Sequence, residues 1–161
     1  MIVVSNTSPL NYLILVEAVH LLPALFSTII IPLAVHDELS DRLAPDPVRH
    51  WIMQKPDWLL VQEVISSNDI ELNLLHRGEQ EAISLAIQLS ADLIILDERV
   101  ARKVAESYGI PVTGTLGLLN FAGQRGLLNI PQVVERLKRT SFRATPAMYK
   151  WLLNQHSNPM S

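Results

Sequence analysis

Ile2-Val3-Val4-Ser5-Asn6-Thr7-Ser8-Pro9 opens the chain with a β-branched apolar run, a polar turn and a proline. The run reads as a buried strand. A helix is expected to start at Pro9, where proline's missing N–H costs nothing. The same pattern recurs downstream: residues 29–31 form a second β-branched run ahead of Pro32, and residues 93–96 a further one ahead of Asp97 and Glu98. Residues 58–61 and 112–113 complete a set of five short apolar runs. Between them, apolar residues fall at helical spacing: Leu10, Leu13, Ile14 and Ala18; then Ala34, Val35 and Leu39; then Ala82, Ile83, Leu85, Ala86 and Leu89. Residues 40–47 read as a loop, Trp51 and Ile52 as part of a short helix, and residues 66–78 as a polar segment ending in a turn. A helix over 97–108 stops at Gly109, and others are expected over 116–124, 131–138 and 146–155. Strands that are apolar throughout and spaced by helices lie parallel and are buried on both faces. The expected fold is therefore α/β: a three-layer α/β/α sandwich with a central parallel sheet of about five strands. One domain is expected over residues 1–161, with a core over 2–125 and C-terminal helices over 130–156.

Composition agrees with a packed domain. Of 161 residues 48% are hydrophobic and 18% charged, enough to bury a core and too apolar for a disordered tail. There is no cysteine, which excludes disulfides, Cys-ligated zinc, iron–sulfur clusters and thiol nucleophiles. The longest uncharged apolar stretch, residues 21–35, is broken by Pro23 and Pro32 and falls short of the ~20 residues of a membrane helix. With no signal-peptide pattern at the N-terminus, a soluble, cytoplasmic protein with no membrane partner is expected. Net charge is −3, but it is unevenly spread. Residues 1–98 hold 14 acidic and 4 basic side chains, and residues 99–161 hold 2 acidic and 9 basic. That asymmetry suggests an acidic cluster in the first part and an anion-attracting face in the second; two surfaces that cancel in the fold would produce the same counts.

In open parallel sheets functional groups gather beyond the carboxyl ends of the strands. Asn6 stands there after the first strand and Asp97 after the fourth. Glu38, Glu79, Glu81 and Glu98 are the further candidates. Each has a plainer reading: Asn6 or Ser8 as a helix cap, Asp97 as the cap of its own helix, Glu79 and Glu81 as first-turn charges suited to the helix dipole. Glu38 lies inside its helix, where capping does not explain it, and either it or Asp37 points inward. Glu79 and Glu81 project from faces roughly 200° apart; Glu81, nearer the apolar face, is expected to enter the pocket, with Glu79 at its rim. Carboxylates converging from scattered elements repel unless a cation neutralises them, which implies a hard divalent metal with oxygen ligands. The five histidines are too dispersed to compete.

These residues resemble the motifs of PIN domains, most closely a poorly characterised prokaryotic PIN-like subgroup. The matching stretches are 2–10, 30–39 (with Glu38), 78–83 (Gly78-Glu79-Gln80-Glu81-Ala82-Ile83), 91–99 (with Asp97) and 114–117 (Gly114-Thr115-Leu116-Gly117), in the family's order. The resemblance implies an α/β/α fold and an Mg²⁺- or Mn²⁺-dependent ribonuclease. Asn6, Glu38, Glu81 and Asp97 would take the four acidic positions, with Glu79 and Glu98 as auxiliary ligands. Thr7, Ser8 and Thr115 would orient the ligands from behind. It further implies a likeness to VapC-type toxins, which are often homodimers silenced by a small antitoxin. Its departure is Asn6, where the family usually has aspartate: an amide oxygen can ligate a metal but brings no charge and cannot act as a base.

The leading expectation is a metal-dependent endoribonuclease whose product ends, by resemblance, are a 3′-hydroxyl and a 5′-phosphate. Arg99, Arg102 and Lys103 would contact the RNA backbone, with Arg136, Lys138, Arg139 and Arg143 as a second basic group. A second reading, motivated by Asn6, is a catalytically weakened or silent PIN module that binds nucleic acid or a protein. A third, a receiver-like phosphoacceptor domain with Asp97 as acceptor, is opposed by Ser5 and Asn6 standing where such domains keep paired acids. The apolar helices near residues 10–22 and 116–128 would suit a dimer or simply the core. The segment 146–155 would pack on its own domain or accept an antitoxin helix.

Overall fold

The computed structural model describes residues 1–65 and 70–157; the first part of the expected polar segment, residues 66–69, lies outside the described residues. Five strands form one sheet: β1 (Val3–Ser5), β2 (Ile29–Pro32), β3 (Leu59–Gln62), β4 (Leu93–Ile95) and β5 (Val112–Thr113). Their order is β3-β2-β1-β4-β5 and every pairing is parallel, with Val4 opposite Ile30, Ser5 opposite Ile95, and Ile95 opposite Thr113. The chain builds outward from β1 through β2 to β3, then returns to the other side of β1 for β4 and β5. The order therefore reverses between β1 and β4. That reversal opens a crevice beyond the carboxyl ends of these two strands.

Because side chains alternate across a strand, the sheet feeds two cores. Val3, Ile29, Ile31, Leu59 and Ile95 are buried against α1 (Thr7–Leu15), α2 (Leu21–Phe26), α3 (Leu33–Ser40), α4 (Asp46–Met53), α8 (Thr115–Gln124), α9 (Ile130–Lys138) and α10 (Pro146–Gln155). Val4, Ile94 and Leu96 are buried against α5 (Ile70–Asn73), α6 (Arg77–Gln88) and α7 (Arg99–Ser107). These are the three layers of an α/β/α sandwich.

Element boundaries differ from the sequence expectation most at α1, α2, α4 and α7, and α5 with the first residues of α6 falls inside the expected polar segment 66–78. α1 starts at Thr7 instead of Pro9; Pro9 sits in the first turn, where backbone N–H groups have no intrahelical acceptor, so the proline is harmless. The same tolerance allows α2, which was not foreseen, to carry Pro23 at its third position. α4 begins at Asp46, inside the expected loop, with Pro47 in its first turn. α7 starts at Arg99, and its cap is Glu98, whose side chain accepts from the Ala101 N–H at 3.0 Å. The cap is thus not Asp97, which is left free of the helix.

Candidate active site

A pocket of about 570 Å³ opens at the crevice between β1 and β4 and collects residues from both core layers. Asp97 follows β4 directly. The Thr115 backbone N–H donates to its Oδ1 and the Thr115 hydroxyl to its Oδ2, both at 2.7 Å. Thr115 is wholly buried at the first turn of α8, so the carboxylate is held by a fixed element. Gly114 is what lets α8 approach: a Cβ there would lie 2.8 Å from Asp97 Oδ1 and 3.0 Å from Arg102 Nη1. Burial pushes the Asp97 carboxyl above its ordinary range, although the two Thr115 bonds, the Arg102 charge and the Ser8 hydroxyl all pull the other way.

Asn6 stands on the other side of the crevice. Its N–H continues the sheet by donating to the Ile95 carbonyl at 3.0 Å, and the residue is 3% exposed. It occupies the cap position of α1, yet its side chain makes no capping bond. Among the described residues, Asn6 Oδ1 is buried without a hydrogen-bond partner. Such an orphan costs about 1–3 kcal/mol unless a water or a cation satisfies it.

Glu38 comes from α3. Its Oε2 accepts from the Thr7 hydroxyl at 2.7 Å, and it reaches the pocket only because residue 78 is glycine, since a Cβ there would overlap Glu38 Oε1. Asp37, which sequence left as the alternative, is exposed and lies 3.5 Å from Arg77. Glu79 enters from the first turn of α6 and is 4% exposed, with His76 Nε2 at 3.1 Å from its Oε2. Burial raises its pKa; His76 opposes the rise, and the nearby Glu98 and Glu38 charges add to it. Glu98 itself lines the pocket while capping α7.

The expected roles of Glu79 and Glu81 are reversed. Glu81 does not line the pocket: its Oε1 accepts from the Ala34 N–H at 3.1 Å and its Oε2 faces Arg77 Nε at 3.2 Å. It joins α3 to α6 instead. The reason is register. α6 begins at Arg77, and Glu79 shares a face with Ala82, Ile83 and Ala86, at spacings of three, four and seven residues. That spacing was visible in sequence and is the signal that would have placed Glu79 inward.

Of the first basic group, Arg102 lines the pocket, whereas Arg99 and Lys103 are exposed and outside its lining. Of the second, Arg143 lines it; Arg136 turns to Glu17 and the Val16 carbonyl, and Lys138 lies over the Tyr149 ring. Sequence reasoning set His76 aside with the other histidines and overlooked Asn11, Tyr12, Phe142 and Met148; all five line the pocket. Ser8, Asn11 and Tyr12 stand three and four residues apart on α1, a spacing that places them on one face.

The donors at the crevice are the Asn6 amide oxygen and the carboxylates of Glu38, Glu79 and Asp97. An all-oxygen set suits a hard divalent cation, and the orphaned Asn6 oxygen fits the same group. Among the described residues no three of the acidic or imidazole side chains are already gathered as a metal cage. Thr7, Thr115 and His76 each engage one of these carboxylates, Glu38, Asp97 and Glu79 respectively.

A family model described as a PIN domain matches residues 2–158. No curated protein and no solved structure matches the chain.

Proposed function

The chain belongs to the PIN-domain family, and on that premise we propose that it is a metal-dependent endoribonuclease acting at the crevice between β1 and β4. The family points to nuclease-type chemistry, divalent metal ions and nucleic-acid binding; the residues and the substrate are our reading. The observation that carries it is the buried Asn6 Oδ1, unpartnered among the described residues, in a pocket walled by Glu38, Glu79 and Asp97.

In this reading Asn6, Glu38, Glu79 and Asp97 hold Mg²⁺ or Mn²⁺. When bound, the cation lowers the pKa of a water and stabilises charge developing at the phosphorus. The rest falls to the chain. Thr115 and Thr7 fix the Asp97 and Glu38 carboxylates, so the ligands are oriented before substrate arrives. Arg102 and Arg143, both lining the pocket, contact RNA phosphates, giving affinity without sequence choice and a steep dependence on salt. Cleavage leaves a 3′-hydroxyl and a 5′-phosphate. By resemblance to VapC-type toxins alone, the same proposal extends to a toxin of a toxin–antitoxin pair, acting as a homodimer in the cytoplasm and silenced by a small antitoxin.

The test is a fluorogenic RNA incubated with Mn²⁺. Cleavage that is abolished by chelator and by Asp97→Asn supports the proposal, and cleavage indifferent to both rejects it. The neutral Asn6 favours a second reading, a module whose activity is weakened because the site holds one carboxylate fewer. Asn6→Asp separates the two: a large gain in Mn²⁺ affinity and in cleavage over an inert wild type supports the weakened module, and an already active wild type removes it.

A further inference from the structure

Beside the oxygen donors the pocket has a further stretch of wall. That wall is made by Asn11 and Tyr12 of α1, Ser141, Phe142 and Arg143 in the connection from α9 to α10, and Met148 of α10. It is a fixed surface. The Tyr12 and Phe142 rings meet edge to face with centroids 5.1 Å apart, and the Tyr12 hydroxyl is 2.9 Å from Ser141 Oγ. Thr145 caps α10 by accepting from the Met148 N–H at 3.1 Å. Asn11, by contrast, has a carboxamide that makes no hydrogen bond among the described residues. A carboxamide offers two donors and an acceptor on one planar group. With an aromatic wall beside it and an arginine at the edge, it matches the three parts of a nucleotide: base edge, base face and phosphate.

We propose that Asn11, Tyr12 and Phe142 form a subsite for one nucleobase adjoining the cleaved phosphodiester, so that these residues set the nucleotide preference of the cut. This rests on the nuclease reading above. Phe142 and Tyr12 supply the apolar wall for the base, Asn11 reads its edge, and Arg143 takes the neighbouring phosphate. The lining then divides the work: oxygen ligands for the cation in one set of residues, base recognition in another.

The experiment titrates three labelled RNA pentamers, of adenosine, cytidine or uridine only, with the wild-type chain, Asn11→Ala and Phe142→Leu. Fluorescence anisotropy in Ca²⁺ reads binding, and Mn²⁺ in a parallel series reads cleavage. Phe142→Leu keeps apolar volume under the loop, and Asn11→Ala sits on a partly exposed helix face, so one variant stays informative if the other fails to fold. The wild type should rank the three RNAs over a range of about tenfold; Asn11→Ala should flatten that ranking, and Phe142→Leu should weaken all three by about tenfold. Wild-type binding that is equal for all three, or variants that keep both ranking and affinity, overturns the subsite; if Mn²⁺ still drives cleavage, the nuclease reading survives. Ranked binding that both variants lose, without any cleavage, supports a base subsite at these residues but overturns the nuclease reading and, with it, their role in choosing the cut. A pocket that binds none of the RNAs, as one built for a protein segment would, overturns the subsite.

Discussion

Thr115 engages both oxygens of Asp97, its N–H on Oδ1 and its hydroxyl on Oδ2, so a single buried residue sets the carboxylate's rotamer. Thr115→Val keeps the shape and the N–H but removes the hydroxyl. The variant should lose about 1–3 kcal/mol, the cost of depriving a buried acceptor of its donor. Urea unfolding at pH 7, with Mn²⁺ titration beside it, checks this; the Mn²⁺ affinity should fall with the stability.

Stability without metal should fall as pH rises. Burial holds the Asp97 and Glu79 carboxyls above their ordinary range. Between the unfolded carboxylate pKa of about 4 and those raised values, the folded chain binds more protons than the unfolded one, so its free energy of unfolding declines. Asp97→Asn cannot ionise there. Thermal melts in chelator across this window should show the variant gaining on the wild type as pH rises, while Mn²⁺ restores the wild type. Parallel melting curves for the two would contradict the assignment.

Gly78→Ala should separate folding from function. The atoms nearest the added methyl belong to the carboxylate of Glu38, the far end of a flexible side chain that can swing aside. In the helix itself alanine is favoured over glycine by about 1 kcal/mol. Circular dichroism and melting should therefore remain near wild type, while Glu38 leaves the pocket and Mn²⁺ affinity and cleavage drop by at least about tenfold.

Glu79 and Glu81 should behave oppositely under conservative substitution. Glu79→Gln removes a buried pocket carboxylate and should abolish Mn²⁺-dependent cleavage. Glu81→Gln touches only the Ala34 N–H and Arg77, part-exposed contacts worth about 0.5–1 kcal/mol together, and should leave kcat unchanged. Single-turnover assays on both variants decide it.

The layers and the crevice were legible in sequence because β-branched runs ending in a polar turn or a proline carry a strand and its exit together: residues 2–9 placed Asn6, and residues 93–98 placed Asp97. The spacing of Glu79 to Ala82, Ile83 and Ala86 was legible as well, whereas the close approach of Gly78 to Glu38, 40 residues apart in the chain, was not. α2 was hidden by Pro23, whose first-turn position is visible only once the helix start is known. The aromatic wall was illegible for a different reason. Phe142 and Tyr12 are 130 residues apart, and nothing in either neighbourhood marks them as partners.

The most direct measurement of the central claim is anomalous diffraction from a crystal soaked in Mn²⁺. A peak coordinated by Asp97 together with Glu38, Glu79 or the Asn6 amide oxygen is the result expected. Manganese bound instead at Asp37 and Glu81, or a crevice that takes up none at saturating concentration, would contradict it.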